Sequence, residues 1–395
     1  MNKKSIRDVD IKGKKVLMRV DFNVPLDKGL VITDDNRIRA ALPSIEYILG
    51  ENAKLILMSH LGRPKGEVRQ EFSLAPAATR LSELIGKPVK ILDDCIGDSV
   101  KEAVSAMSDG DVILLENLRF HKEETENDAS FAKELASLGD IFVNDAFGTC
   151  HRAHASTEGI THYLESVSGF LVEKEIEYFQ KVVTSPDKPF AFILGGAKVA
   201  DKIPVIENMM DKCDLIFIGG AMAYTFLKVN GIDVGSSRME EEMIDTVKAI
   251  KDKAALKGVE IVLPIDHVIT DDFQAAINVK ITDGENIESG WMGVDIGPKS
   301  IELFKDKLKQ VKTIVWNGPV GVFENDKFAA GTKALCDTLA KSDATTVIGG
   351  GDTAAAVLKF GVQDKMSHIS TGGGASLEYL EGKVLPGVAA LSDKE

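Results

Sequence analysis

Short apolar runs return at intervals through the first half of the chain, at Val16–Val20, Leu55–Met58, Val89–Leu92, Val112–Leu115 and Ile141–Val143. Each is rich in leucine or β-branched residues and is separated from the next by polar, helix-compatible sequence. That is the pattern of buried parallel strands joined by helical crossovers. The second half repeats it with glycine as the terminator: PFAFILGG, DLIFIGG, KTIVWNGP, ATTVIGGG and HISTGGG each run from an apolar strand into glycines. Between the halves, SGFLVEKEIEYFQKVV (Ser168–Val183) predicts an amphipathic helix. Val172, Ile176, Phe179 and Val183 fall at steps of four, three and four on one face, while Glu173, Lys174, Glu177 and Lys181 point elsewhere. Ser168 is the expected N-cap, and Thr184-Ser185-Pro186 the expected stop.

At 395 residues the chain exceeds the ~250–300 at which single cores stop growing, so two domains are expected. The predicted fold class is α/β, with two doubly wound, parallel-sheet, Rossmann-like lobes joined by a linking helix. The lobes are placed at residues 1–168 and 185–380, the helix at 169–184 and a tail at 381–395. A core helix inside one large domain is the alternative that the pattern leaves open.

Arginine and glycine divide the same way. Arg7, Arg19, Arg37, Arg39, Arg63, Arg69, Arg80, Arg119 and Arg152 precede the helix and only Arg238 follows it, whereas the glycine pairs and triplets all follow it. This predicts an anion-clamping first lobe and a nucleotide-cradling second one. The formal charge of −14 divides into −5 before Gly169 and −9 from it onward. An acidic balance in both lobes argues against nucleic acid or an anionic membrane as the main partner. With 44% hydrophobic and 27% charged residues, no signal-peptide pattern and no stretch of ~18 apolar residues, a soluble cytoplasmic protein is expected. Cys95, Cys150, Cys213 and Cys336 show no zinc-like spacing and read as reduced, buried thiols.

Polar residues sit where the first-half strands end, and ligands of open parallel sheets bind outside those carboxyl ends. Asp21, Asn23, Arg37, His60, Arg63, Arg119, His151 and Arg152 form the candidate substrate set. The planar fork of arginine suits phosphate and carboxylate; any one of these arginines alone reads rather as a surface ion pair, and it is several at strand ends, in the half holding nearly all of them, that point to an anionic substrate. In the second half neither G-x-x-x-x-G-K-[ST] nor G-x-G-x-x-G is present, which removes a dehydrogenase reading. The substitute is Gly195-Gly196-Ala197-Lys198-Val199-Ala200-Asp201-Lys202. If a helix begins near Ala197, Lys198 and Lys202 lie one turn apart, where a bound polyanion turns their repulsion into a gain. Asp352 after Gly349–Gly351 is either a helix cap or a hard oxygen ligand for Mg²⁺. Gly372–Gly374 offers a second helix N-terminus for charge on a transferring phosphoryl group.

Val20–Pro25, Ser59–Pro64, Glu116–Phe120, His151–His154, Gly195–Lys202, Trp316–Pro319, Gly349–Asp352 and Gly372–Ser376, in this order, are similar to the motifs of the phosphoglycerate kinase family. The resemblance implies reversible transfer of the ATP γ-phosphoryl to 3-phosphoglycerate in glycolysis, by a monomer whose lobes close about a hinge. It implies that Asp21, Asn23, Arg37, His60, Arg63, Arg119 and Arg152 hold 3-phosphoglycerate. Lys202, Gly219, Gly220, Gly293, Asn317, Glu324, Gly350, Gly351, Asp352 and Thr353 would line the site for ATP, with Glu324 on the ribose and Asp352 at Mg²⁺. Arg37, Lys198, Gly351 and Gly374 would stabilise the group in flight, and the tail would return to the first lobe. Ala221 and Cys150 depart from the glycine and alanine expected there. A carboxylate acceptor is already ionised at neutral pH, so this reaction needs no general base.

Overall fold

A computed structural model of the chain describes residues 2–394. The chain forms two compact units: one runs to Glu177 and resumes at Val384, and the other spans Tyr178–Lys383.

The first unit is built on β1 (Lys15–Arg19), β2 (Lys54–Met58), β3 (Val89–Ile91), β4 (Val112–Leu114), β5 (Ile141–Asn144) and β6 (Ser166–Ser168). They pair in parallel in the order β3-β4-β2-β1-β5-β6. The predicted runs are all strands, offset by a residue or so. Strand β6, Ser-Val-Ser, is too short and polar to show in the pattern. The intervening sequence forms α1 (Asn36–Gly50), α2 (Ala75–Ile85), α3 (Asp98–Ser105), α4 (Lys122–Thr125) and α5 (Ala129–Ala136). Alternate strand residues enter different cores, as a pleated strand requires. Val16, Met18, Leu55, Leu57 and Val112 pack with Ile38 and Ile45 of α1 and Leu81 of α2. Leu17, Ile56, Ile113 and Phe142 pack with Val100 of α3 and Phe131 of α5. Both faces of the sheet are therefore covered, which explains why its strands read as continuous apolar runs.

The linking helix is α6 (Phe170–Thr184), and it stops where Thr184-Ser185-Pro186 predicts. Its start differs from expectation. Ser168 is the last residue of β6, paired with Asn144 of β5, and does not cap the helix. The cap comes from the neighbouring strand end: Asp145 Oδ1 accepts from the N–H groups of Leu171 at 2.9 Å and Val172 at 3.3 Å. Burial pushes the Asp145 carboxyl up to about 7, against the hydrogen bonds from Ser44 and these amides.

The second unit contains β7 (Phe190–Leu194), β8 (Leu215–Ile218), β9 (Glu260–Val262), β10 (His267–Thr270), β11 (Val279–Ile281), β12 (Met292–Ile296), β13 (Thr313–Asn317), β14 (Thr345–Gly349) and β15 (His368–Ile369). A parallel sheet runs β15-β14-β13-β7-β8-β9, and a separate antiparallel one runs β11-β10-β12. The five glycine-terminated runs are all strands of the parallel sheet; the antiparallel sheet adds to the predicted fold. Its β11 is largely exposed, so that stretch carries no continuous apolar run.

The helices of this unit are α7 (Ile203–Met209), α8 (Met222–Val229), α9 (Ile244–Lys257), α10 (Pro298–Leu308), α11 (Ala330–Leu339), α12 (Gly351–Lys359) and α13 (Gly374–Leu380). Its main core joins Ile193, Phe217, Ile314, Trp316 and Ile348 to Phe304 of α10 and Leu335 of α11. The returning segment of the first unit carries α14 (Pro386–Ala389). Asn144 Nδ2 donates to Gly387 O at 3.0 Å, and Ser392 N to Ser166 O at 2.8 Å, which holds it beside β5 and β6.

Strand order reverses between β1 and β5 in the first unit and between β7 and β13 in the second. Ligands of such sheets bind at these reversals, outside the strand C-termini.

Candidate functional site

Below the first surface lies a buried charge. Arg19, at the end of β1, is fully buried; its Nε donates to Ser156 Oγ at 2.9 Å and its Nη2 lies 3.1 Å from His60 Nδ1. Glu124, also fully buried, accepts from Ser156 Oγ at 2.5 Å and Ser156 N at 2.9 Å. Arginine has no acceptor, so His60 Nδ1 carries the lone pair and Nε2 the proton. Burial, followed by the charges of Arg19, Arg119 and Arg37, holds His60 well below the usual imidazole range and keeps it neutral.

The loop after β2 is clamped from two sides. Asn23 Oδ1 accepts from Gly62 N at 2.9 Å, and Arg119 Nη1 donates to Gly62 O at 2.9 Å. Arg119 is itself buried, with an Nε that has no partner, and burial followed by Arg19 and Arg152 brings it down to about 10. Beside it opens a pocket of about 570 Å³ lined by Arg63, Lys65, Gly66, Arg119, His121, Lys122, Thr125, Arg152 and His154. It holds five cationic side chains and no carboxylate. Arg37 projects from the first turn of α1 and pairs with Asp21 at 2.6 Å. Arg63, Arg119 and Arg152 thus meet in the pocket, while Asp21, Asn23, Arg37 and His60 do not line it and belong to the surrounding hydrogen-bonded network.

In the second unit the reversal point is built on close backbone approach. A Cβ on Gly195 would stand 2.0 Å from Pro319 O, and one on Gly318 2.1 Å from Gly195 O, so both strand ends require glycine. A cleft of about 470 Å³ opens here, lined by Gly196, Gly220, Tyr224, Arg238, Phe273, Met292, Gly293, Pro319, Glu324 and Asp352 among others. Lys202 Nζ donates to Asn317 Oδ1 at 2.5 Å, and Thr353 Oγ1 accepts from Gly318 N at 2.7 Å. Burial lowers the Lys202 ammonium, opposed by Asp201 and Asp352. Gly350, with φ of +84°, precedes the first turn of α12, which Gly351 opens; Gly374 opens α13. Gly219 lies behind the cleft, against Val320.

Two expectations are corrected. No helix begins at Ala197: the chain bends through Gly196–Val199, a short 3-10 turn follows at Ala200–Lys202, and α7 starts at Ile203. Lys198 and Lys202 therefore do not share a helix face; Lys198 is exposed and Lys202 half-buried. The N–H groups of Val199 and Ala200 donate to the Glu240 carboxylate. Asp352 lies in the first turn of α12, is exposed and lines the cleft.

A model of the phosphoglycerate kinase family matches residues 6–383. The chain belongs to this family. It is, accordingly, a kinase of glycolysis. It is 56% identical over 396 residues to a phosphoglycerate kinase of Clostridium botulinum (strain Langeland / NCTC 10281 / Type F), covering 100% of this chain and 99% of that protein. It is also 56% identical over 400 residues to that of Gloeothece citriformis (strain PCC 7424), with both chains fully covered. The phosphoglycerate kinase structure from Coxiella burnetii aligns with a TM-score of 0.90 at 41% identity, and that from Pyrococcus horikoshii OT3 with 0.82 at 32%; each covers 98% of both chains.

A kinase acting on ATP generally needs Mg²⁺, which takes one or two carboxylates beside phosphate and water oxygens. Asp352 and Glu324, the carboxylates lining the cleft, fit that donor set. Sequence reasoning missed Glu124 and Ser156, whose role depends on burial, and Tyr224, Phe273 and Met292. Met292 belongs to the antiparallel sheet and Phe273 follows β10, so predicting that sheet was the available signal. Arg238 was visible as the only arginine after the helix. All four cysteines are free and buried, and among the described residues no helix is long and apolar enough to cross a membrane.

Proposed function

We propose that the chain moves the γ-phosphoryl of ATP reversibly to the carboxylate of 3-phosphoglycerate, giving ADP and 1,3-bisphosphoglycerate, with each substrate held on its own unit. The observation that carries this reading is the first-unit pocket: five cations around an opening without a carboxylate. Such a surface takes a small polyanion whose own carboxylate is the nucleophile. No general base is needed, because that carboxylate is ionised at neutral pH.

The roles assigned follow from position. Arg63, Arg119 and Arg152 take the phosphate of 3-phosphoglycerate, and Asn23 holds the loop that presents Arg63. His60 donates from Nε2, and Asp21 orients Arg37 toward the acceptor carboxylate. On the second unit, Gly220, Gly293 and Glu324 receive the nucleoside, and Lys202, Asn317 and Gly350 to Thr353 receive its phosphates. Asp352 holds Mg²⁺, which neutralises phosphate charge when bound. Lys198, exposed and not fixed by a helix, is free to follow the phosphoryl group, while the N–H groups of Gly351 and Gly374 face its oxygens. Positioning and charge neutralisation are the main contributions to such a transfer.

Transfer between ligands held by different units requires them to close, and α6, which carries the chain from one to the other, is the proposed hinge. The protein is taken to act as a cytoplasmic monomer. The deciding experiment is ADP release from MgATP with and without 3-phosphoglycerate. Release that depends on 3-phosphoglycerate supports the reading; none, with MgATP still bound, overturns it.

A further inference from the structure

The first unit holds a group of donor atoms to which the phosphoryl-transfer reading gives no task. Asp94 and Cys95 follow β3, and His121 follows the short turn Leu118–Phe120. One ligand atom from each lies within 4.8 Å of the other two, and among the described residues this is the one such grouping of three His, Cys, Asp or Glu side chains. Three features pre-arrange it. Asp94 Oδ1 accepts from His121 Nε2 at 2.7 Å and from the Cys95 backbone N–H at 2.6 Å, which fixes the carboxylate between its two neighbours. The His121 ring lies 5.4 Å from the Phe131 ring, which limits its rotation. The Cys95 side chain is fully buried, whereas the side chains of Asp94 and His121 are 47% and 26% exposed, so the group opens toward solvent on one side.

We propose that Asp94, Cys95 and His121 form a binding site for a zinc-class divalent cation, with a carboxylate oxygen, Sγ and Nε2 as ligands and a water in the fourth position. Metal–ligand lengths of about 2.0–2.3 Å put tetrahedral ligand atoms about 3.3–3.6 Å apart. The present spacing, at most 4.8 Å, is therefore within about 1.5 Å of a closed cage. A mixed S, N, O set selects zinc-class metals over Mg²⁺, which takes oxygen ligands. Thiolate and carboxylate together neutralise a divalent cation, and its binding releases to solvent the Cys95 thiol proton and the Nε2 proton that His121 now donates to Asp94.

The test is titration of the full chain with Co²⁺, followed by competition with Zn²⁺. The expected result is one Co²⁺ per chain with a thiolate-to-metal charge-transfer band that Zn²⁺ abolishes. Cys95→Ser should remove the band while Cys213→Ser keeps it, and His121→Ala and Asp94→Asn should each weaken binding by at least about tenfold. The half-exposed positions of Asp94 and His121 keep the test decisive if Cys95→Ser fails to fold. Absence of the band in the unmodified chain, or its persistence in Cys95→Ser, overturns the proposal. So does full affinity in both His121→Ala and Asp94→Asn.

Discussion

Glu124→Gln probes the charge buried beneath the substrate surface with almost no change of shape. The carboxylate reaches Arg19 through one hydroxyl: Arg19 Nε to Ser156 Oγ is 2.9 Å and Ser156 Oγ to Glu124 Oε1 is 2.5 Å, so the charges are separated by at most 5.4 Å, the two bonds end to end. At an effective dielectric of about 20, that separation corresponds to about 3 kcal/mol of attraction. The glutamine amide also loses one of the two acceptor bonds to Ser156, a further ~1 kcal/mol. The expected cost is therefore about 3–4 kcal/mol, in the range seen when one partner of a buried ion pair is removed. Urea unfolding is the assay. Trp291 and Trp316 both lie in the second unit, so fluorescence follows that unit, while circular dichroism follows both. The dichroism transition should move to lower urea while the fluorescence transition stays nearly in place. Affinity for 3-phosphoglycerate should fall with it, because a loosened Arg19 no longer fixes the His60 tautomer. A loss below ~0.5 kcal/mol would refute the reasoning and assign the neutralisation of Arg19 to Asp21, the other carboxylate acting on it.

Lys198→Ala should lower turnover far more than nucleotide affinity; equal losses in both would reassign Lys198 to ground-state binding. Gly195→Ala, whose Cβ would stand 2.0 Å from Pro319 O, should destabilise the second unit by more than the ~1–3 kcal/mol of ordinary overpacking and weaken MgATP binding; wild-type calorimetry of both would contradict the close approach. Burial followed by Arg119, Arg19 and Arg152 brings His154 down to about 4, against ~6.5 in the unfolded chain, so the unfolded state binds more protons between these values. Stability should therefore be lost as pH falls from about 6.5 toward 4, and His154→Gln should flatten that slope in urea midpoints; an unchanged slope would show that His154 does not contribute.

What the sequence determined by itself was five of the six strands of each parallel sheet, β6 and β9 being the exceptions, and the linking helix. These follow from local rules: a strand buried on both faces must be apolar throughout, and glycine marks the turns where backbones approach. The arginine bias pointed to the proposed anion-binding side for the same reason, since the planar fork of arginine matches a phosphate with two parallel bonds. Other features belong to the tertiary structure. Asp145 rather than Ser168 caps α6, because the chain ahead of that helix is drawn into β6 and the free acceptor lies on the adjacent strand. Glu240 occupies the amides after Lys198, although 40 residues separate them in sequence. Glu124 and Ser156 support Arg19 from positions that look like surface polar residues until the fold buries them. The antiparallel sheet joins a buried β10 to a largely exposed β11, so no shared apolar pattern marks its strands in the sequence. In each case the deciding interaction joins residues distant in the chain, and only packing determines which polar group is left without water and must find a partner.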